Sequence, residues 1–182
     1  MFKSIKIYPT QPHFRDSKGK IFTGSTGNSS TWNQPLGQKV LIVDIDTRVP
    51  TGDNQILHPE SKIDWETLQA NGGGLVSHAI TNHYLYAMIH GYDYHYYEAH
   101  DMVDHHTTWI KPHVLKELLP NYQFVVAMDA DAIISHLEVP LEWMFNRWGI
   151  GEHTSMALPH DTEEFRDGER KKSYHVSRTY AD

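Results

Sequence analysis

An α/β domain built around a mainly parallel sheet is what this sequence predicts, and three observations carry the prediction. Two apolar runs rich in β-branched residues are too short for ordinary helices and end in polar residues, as buried strands do. They are Lys39-Val40-Leu41-Ile42-Val43-Asp44-Ile45-Asp46-Thr47-Arg48 and Phe124-Val125-Val126-Ala127-Met128-Asp129-Ala130-Asp131-Ala132-Ile133-Ile134-Ser135. Between them helical and extended patterns alternate, which is the signature of parallel strands joined by crossover helices. The chain has 182 residues, 39% of them hydrophobic and 21% charged, enough for one α/β domain with a sizeable core.

In chain order, residues 1–37 are rich in Gly, Ser, Thr, Asn, Gln and Pro without periodicity and read as an irregular arm; residues 38–182 read as the domain. After the first strand, Pro50 to Gly74 reads as a long loop with a short helical piece at 65–69, closed by Gly72-Gly73-Gly74. Leu75 to His90 is a helix: Val76, Ile80, Tyr84, Ala87 and Met88 recur at helical spacing, and Gly91 stands where a helix-ending glycine belongs. Tyr92 to Glu98 is an aromatic-rich strand. Thr108-Trp109-Ile110-Lys111-Pro112 opens the next helix, with Pro112 tolerated in its first turn and Val114, Leu115, Leu118 and Leu119 as its buried stripe. A further helix opens at Val139-Pro140, with Trp143 and Trp148 as packing residues. Ser155 to Asp161 reads as a strand ending in polar residues, followed by a charged tail.

A net charge of -7 argues against a nucleic-acid partner, because no basic face is available to neutralise a phosphate polymer. The absence of cysteine excludes disulfides, thiolate metal sites and a cysteine nucleophile. No apolar span of transmembrane length and no signal peptide occurs, so any membrane anchor lies outside this chain. Asn28-Ser29-Ser30 is a glycosylation sequon, which suits a luminal protein.

The chemistry concentrates at the ends of the two apolar strands. Asp129 and Asp131 point the same way on extended chain, and a slight turn brings both within reach of one divalent cation. Manganese or magnesium held by one or two carboxylates, with substrate phosphates filling other positions, is the usual arrangement of a nucleotide-diphosphate site. Acids that merely cap a turn give the same D-x-D pattern. In an open α/β sheet ligands bind beyond the carboxyl ends of the strands, which places Asp46, Thr47 and Arg48 beside the same site. Lys111, at a helix start, can serve as a point-charge partner for pyrophosphate, and Asn82 can hydrogen-bond a nucleotide. His100 to His106 packs five possible metal ligands into one short stretch. Its Asp104-His105-His106 triplet resembles the phosphoesterases named for that motif, although their acidic motifs precede the triplet. A metallo-phosphohydrolase is therefore the alternative, and an inactive remnant a third reading.

Three motifs in order, Asn82-x3-Tyr86-Ala87-x2-His90-Gly91-Tyr92, Trp109-x-Lys111 and Met128-Asp129-Ala130-Asp131-Ala132-Ile133-Ile134, resemble glycosyltransferase family 34. That family includes fungal galactosyl- and mannosyltransferases and plant xyloglucan xylosyltransferases. The resemblance covers residues 39 to 165 and implies a GT-A-like α/β/α sandwich with a mainly parallel sheet, incomplete at its C-terminus. It implies a metal-dependent hexosyltransferase of the Golgi lumen, moving a hexose from a UDP or GDP sugar to a glycan or glycoprotein acceptor with retention of configuration. Asp129 and Asp131 would hold the metal, while Asp46, Thr47, Arg48, Asn82, Lys111 and Asp129 would contact the donor nucleotide. The acceptor-binding acids and metal-binding histidine that the family carries further on find no counterpart in this chain.

Overall fold

The computed structural model describes residues 6–24, 31–47, 62–63, 70–71, 74–100, 102–158, 164–166 and 169–171, of which 62–63, 70–71, 74–75, 164–166 and 169–171 are described as backbone alone. In chain order the elements are β1 (His13–Arg15), β2 (Ile21–Thr23), β3 (Val40–Asp46), β4 (Lys62–Ile63), β5 (Ala70–Asn71), α1 (Gly74–His90) and β6 (Asp93–Glu98). They continue with α2 (Ile110–Leu118), β7 (Phe124–Met128), α3 (Leu141–Trp148), β8 (Glu164–Arg166) and β9 (Glu169–Lys171). The chain divides into two compact units, one of Met1–Lys6 with Leu36–Glu138 and one of Ile7–Pro35 with Val139–Asp182.

The first unit holds a parallel sheet of order β6-β3-β7. Register pairs Asp44 with both Tyr96 and Met128, and Asp46 with Glu98, so the carboxyl ends of all three strands reach one edge. Every residue of β3 is buried. Because side chains alternate across a strand, β3 feeds two cores. Leu41, Val43 and Ile45 pack with Ala99 and Val114, and with Ile110, Leu115 and Leu118 around them, so α2 covers that face. Asp44 lies on the other face and meets His83 of α1. Helices thus cover both faces of a parallel sheet, a mixed α/β arrangement compatible with the GT-A-like class. Full burial of a valine or leucine such as Val43, Val114 or Leu41 stabilises by about 1.5–3 kcal/mol.

Differences from the sequence reading have physical causes. The run ending in D-x-D reads as a buried strand, yet β7 is half-buried throughout, because among the described residues it pairs with β3 alone. Helix α1 exists as expected and ends at Gly91, whose φ of 76° suits glycine. Of the expected stripe Val76 and Ala87 are buried and Ile80 half-buried, but Tyr84 and Met88 are exposed; Ala79, His83, Tyr86, Ile89 and His90 complete the inward face. Two hydrogen-bonded histidines take core positions that an apolar count cannot assign. In α2, Val114 is buried and Leu119 exposed, because the helix gives way to a tighter turn at Leu119–Asn121.

In the second unit, part of the stretch that composition marks as irregular forms the β1-β2 hairpin. Its turn is built by Asp16, whose Oδ1 accepts from the N–H groups of Lys18 and Lys20, with Gly19 at a φ of 81°. Phe14 stacks on Phe22 and meets the edge of Trp143, burying that indole in the packing role expected of it. Trp148, by contrast, is exposed. Trp32 donates its indole N–H to the Ile150 carbonyl at 2.7 Å, and Asn146 of α3 accepts the Trp32 N–H at 3.0 Å. Helix α3 begins after Pro140 and ends at Gly149, with φ 67°. Residues 155–158, expected to be extended strand, carry no regular structure. The helical piece at 65–69, Arg48, the sequon at 28–30, and residues 159–161 lie outside the described residues.

Candidate active site

β7 ends at Met128, and the D-x-D residues form the turn that follows. The Ala132 N–H donates to the Asp129 carbonyl at 2.9 Å, closing a four-residue turn with Asp131 inside it. Both Asp129 and Asp131 are exposed, at the carboxyl edge of the sheet. Lys111, in the first turn of α2, places its ammonium on the Asp129 carboxylate. Two residues singled out by separate sequence signals, one on α2 and one beyond β7, therefore meet.

Asp46 closes β3 and is buried; its carbonyl accepts the Ala99 N–H at 2.8 Å. Thr47 follows it, half-buried. The amide of Asn82 is engaged by backbone: its Oδ1 accepts the Ile134 N–H at 2.8 Å and its Nδ2 donates to the Ile134 carbonyl at 3.1 Å.

Below this edge lies a polar network that the motif reading does not include. His83 is fully buried, with Nδ1 2.8 Å and 3.1 Å from the two Asp44 carboxylate oxygens and Nε2 3.0 Å from the Ala132 carbonyl. Since a carbonyl only accepts, Nε2 carries a proton; the His83–Asp44 pair has no net charge whichever partner holds the proton between them. Tyr94 of β6 donates its hydroxyl to Asp44 at 2.6 Å. Burial first, and then that hydrogen bond, push the Tyr94 hydroxyl far above its ordinary range, so it remains a donor. Further along α1, the His90 Nε2–H donates to the Leu137 carbonyl at 2.8 Å, and burial lowers its pKa to about 4. An unpaired polar group in this interior would cost about 1–3 kcal/mol, which is why each one here has a partner. A usable signal was present: an acid at the centre of a β-branched run, Asp44, demands a buried partner.

Among the described residues, which leave out Asp101, no three His, Asp or Glu side chains are placed to hold a metal ion. His106 instead accepts the Thr108 N–H at the start of a short helical turn, and His105 meets the ring of Trp109. For the carboxylate turn, two exposed oxygen donors fit magnesium or manganese, which keep several waters and take substrate phosphates as further ligands. Among the described residues no helix is long and apolar enough to cross a membrane.

A parallel α/β sheet with carboxylates and a lysine at its carboxyl edge is compatible with a nucleotide-sugar transferase. Residues 60–161, more than half of the chain, match the family model of glycosyltransferase family 34, the galactosyl transferase GMA12/MNN10 family, and the chain belongs to that family of glycosyltransferases. No curated protein and no solved structure matches it.

Proposed function

We propose that this chain provides the donor site of a metal-dependent, retaining hexosyltransferase that moves a hexose from a UDP or GDP sugar to a glycan or glycoprotein acceptor in the Golgi lumen. One observation carries the reading: Lys111 rests on Asp129 at the carboxyl edge of a parallel sheet, where a diphosphate and its cation belong. Asp129 and Asp131 would hold manganese or magnesium, which when bound neutralises the diphosphate leaving group. Lys111 would then exchange the carboxylate for a phosphate oxygen. Asp46, Thr47 and Arg48, at and beyond the end of β3, would line the base and ribose pocket, with Asp129 near the ribose. Asn82 would act on the nucleotide through the Ile134 backbone that it grips.

Calorimetric titration of the chain with UDP and with GDP, each with and without manganese, tests this. Manganese-dependent binding of one nucleotide is the expected result, and it names the donor class. A folded chain that binds neither would overturn the reading.

A further inference from the structure

Resting on the D-x-D reading above, we propose that His83 is the positioning residue of the carboxylate turn. It ties the backbone just after Asp131 to the central strand, so that both carboxylates are already aligned when a divalent cation arrives.

The connection is short and continuous. Ala132 is fixed at both of its backbone groups: its N–H closes the turn onto Asp129, and its carbonyl receives Nε2–H of His83. On the far side of the ring, Nδ1 meets Asp44, in a strand buried along its whole length. Tyr94 completes the anchor by donating to the same carboxylate from the neighbouring strand. Asn82, one residue earlier on α1, fixes Ile134 through two hydrogen bonds, and His90 holds Leu137. One helix face therefore grips the segment 132–137 at three points. The His83 grip lies nearest the acids and alone joins that segment to the sheet among these three.

A helix that only had to bury this face would do so with a leucine at position 83. Spending a core position on an imidazole with acceptors on both sides makes sense where the segment it holds must be held in one place. Preorganisation of this kind lowers the ordering cost of a later binding event.

The experiment compares the chain with His83→Leu, which fills the space without either hydrogen bond, and His83→Gln, whose amide can still donate to Ala132. Manganese binding in the presence of UDP or GDP is titrated for affinity and for the number of sites, and amide hydrogen exchange is followed over 129–137 and over β3. The expected result for His83→Leu is a manganese dissociation constant raised about tenfold or more at an unchanged number of sites, with exchange accelerated most over 129–137 and less over β3, where Asp44 keeps Tyr94 as a donor. His83→Gln should recover a large part of both. Unchanged affinity, fewer sites at unchanged affinity, or exchange accelerated equally in β3 would overturn the proposal; should His83→Leu not fold, the same criteria apply to His83→Asn, whose shorter amide can still donate to Asp44 but does not reach the Ala132 carbonyl. If the unaltered chain shows no manganese-dependent nucleotide binding while exchange over 129–137 still responds, the D-x-D reading has failed. The cation part of this proposal then fails with it, and the anchoring stands alone.

Discussion

Lys111 and Asp129 form an ion pair between the first turn of α2 and the residue that follows β7. The lysine side chain is 29% exposed and the aspartate 69%, so solvent screens the pair and it contributes little to stability. Its position is what matters. On the proposed reading, a diphosphate arriving with a cation would offer the ammonium a stronger partner than a solvated carboxylate and would free Asp129 for the metal.

Lys111→Met should accordingly lower nucleotide affinity about tenfold, within the range of a lost charge-assisted hydrogen bond, and leave the melting temperature nearly unchanged. Titration of the variant with nucleotide and manganese, beside a thermal melt, measures both. Undiminished affinity would separate Lys111 from the phosphates.

Asp129→Asn combined with Asp131→Asn should abolish cation-dependent nucleotide binding while the fold persists. Both side chains are exposed, so neutralising them opens no cavity and strands no buried group. Circular dichroism establishes the fold, and a manganese titration decides the site. Retained manganese-dependent affinity would sink the metal assignment.

His105→Ala and His106→Ala should leave manganese-dependent nucleotide binding within about twofold of the unaltered chain. His106 accepts from the Thr108 N–H, so its replacement costs about 0.5–1 kcal/mol of local stability and no ligand. A loss of manganese affinity comparable with that of the aspartate variants would instead favour the metallo-phosphohydrolase alternative.

Much of this architecture could be read from residue patterns, and the reasons for success and failure are local. β3 and β7 announce themselves because β-branched runs ending in acids suit strands that deliver polar residues to a sheet edge. Helix α1 is legible for its length and its terminal glycine, but not for which way it faces. That depends on His83 and His90 being buried, and their burial depends on Asp44, Ala132 and Leu137, which are distant in sequence. Asn82 shows the same limit: its helical position near the site was readable, whereas its use in gripping Ile134 required the fold. In the N-terminal stretch the hairpin is not legible from the sequence because three-residue strands leave almost no periodic trace, though Asp16 and Gly19 mark its turn. Two of the three family motifs stand at a helix start and just beyond a strand end, where little else constrains residue type; the third, from Asn82 to Tyr92, runs along α1 and just past its end, with Tyr86, Ala87, His90 and Tyr92 buried.

His90 makes the stability of the first unit depend on pH in a way that can be calculated. Burial is the main cause of its lowered pKa; the hydrogen bond to Leu137 opposes the shift, and the charge of Lys6 adds to it. The folded state therefore holds His90 neutral down to about pH 4, while the unfolded chain takes up a proton near the ordinary value of 6.5. Between those limits the unfolded state binds more protons, so the contribution of His90 is complete above about pH 6.5 and is lost as pH falls toward 4. Up to about 3 kcal/mol is involved, from the size of the shift at about 1.4 kcal/mol per unit. His90→Gln keeps a donor for the Leu137 carbonyl but cannot ionise. It should be the less stable protein at pH 7.5 and should close the gap steadily as the pH is lowered to 4.5. Urea unfolding of both proteins across that range checks this, and parallel stability curves would show that His90 does not titrate on unfolding.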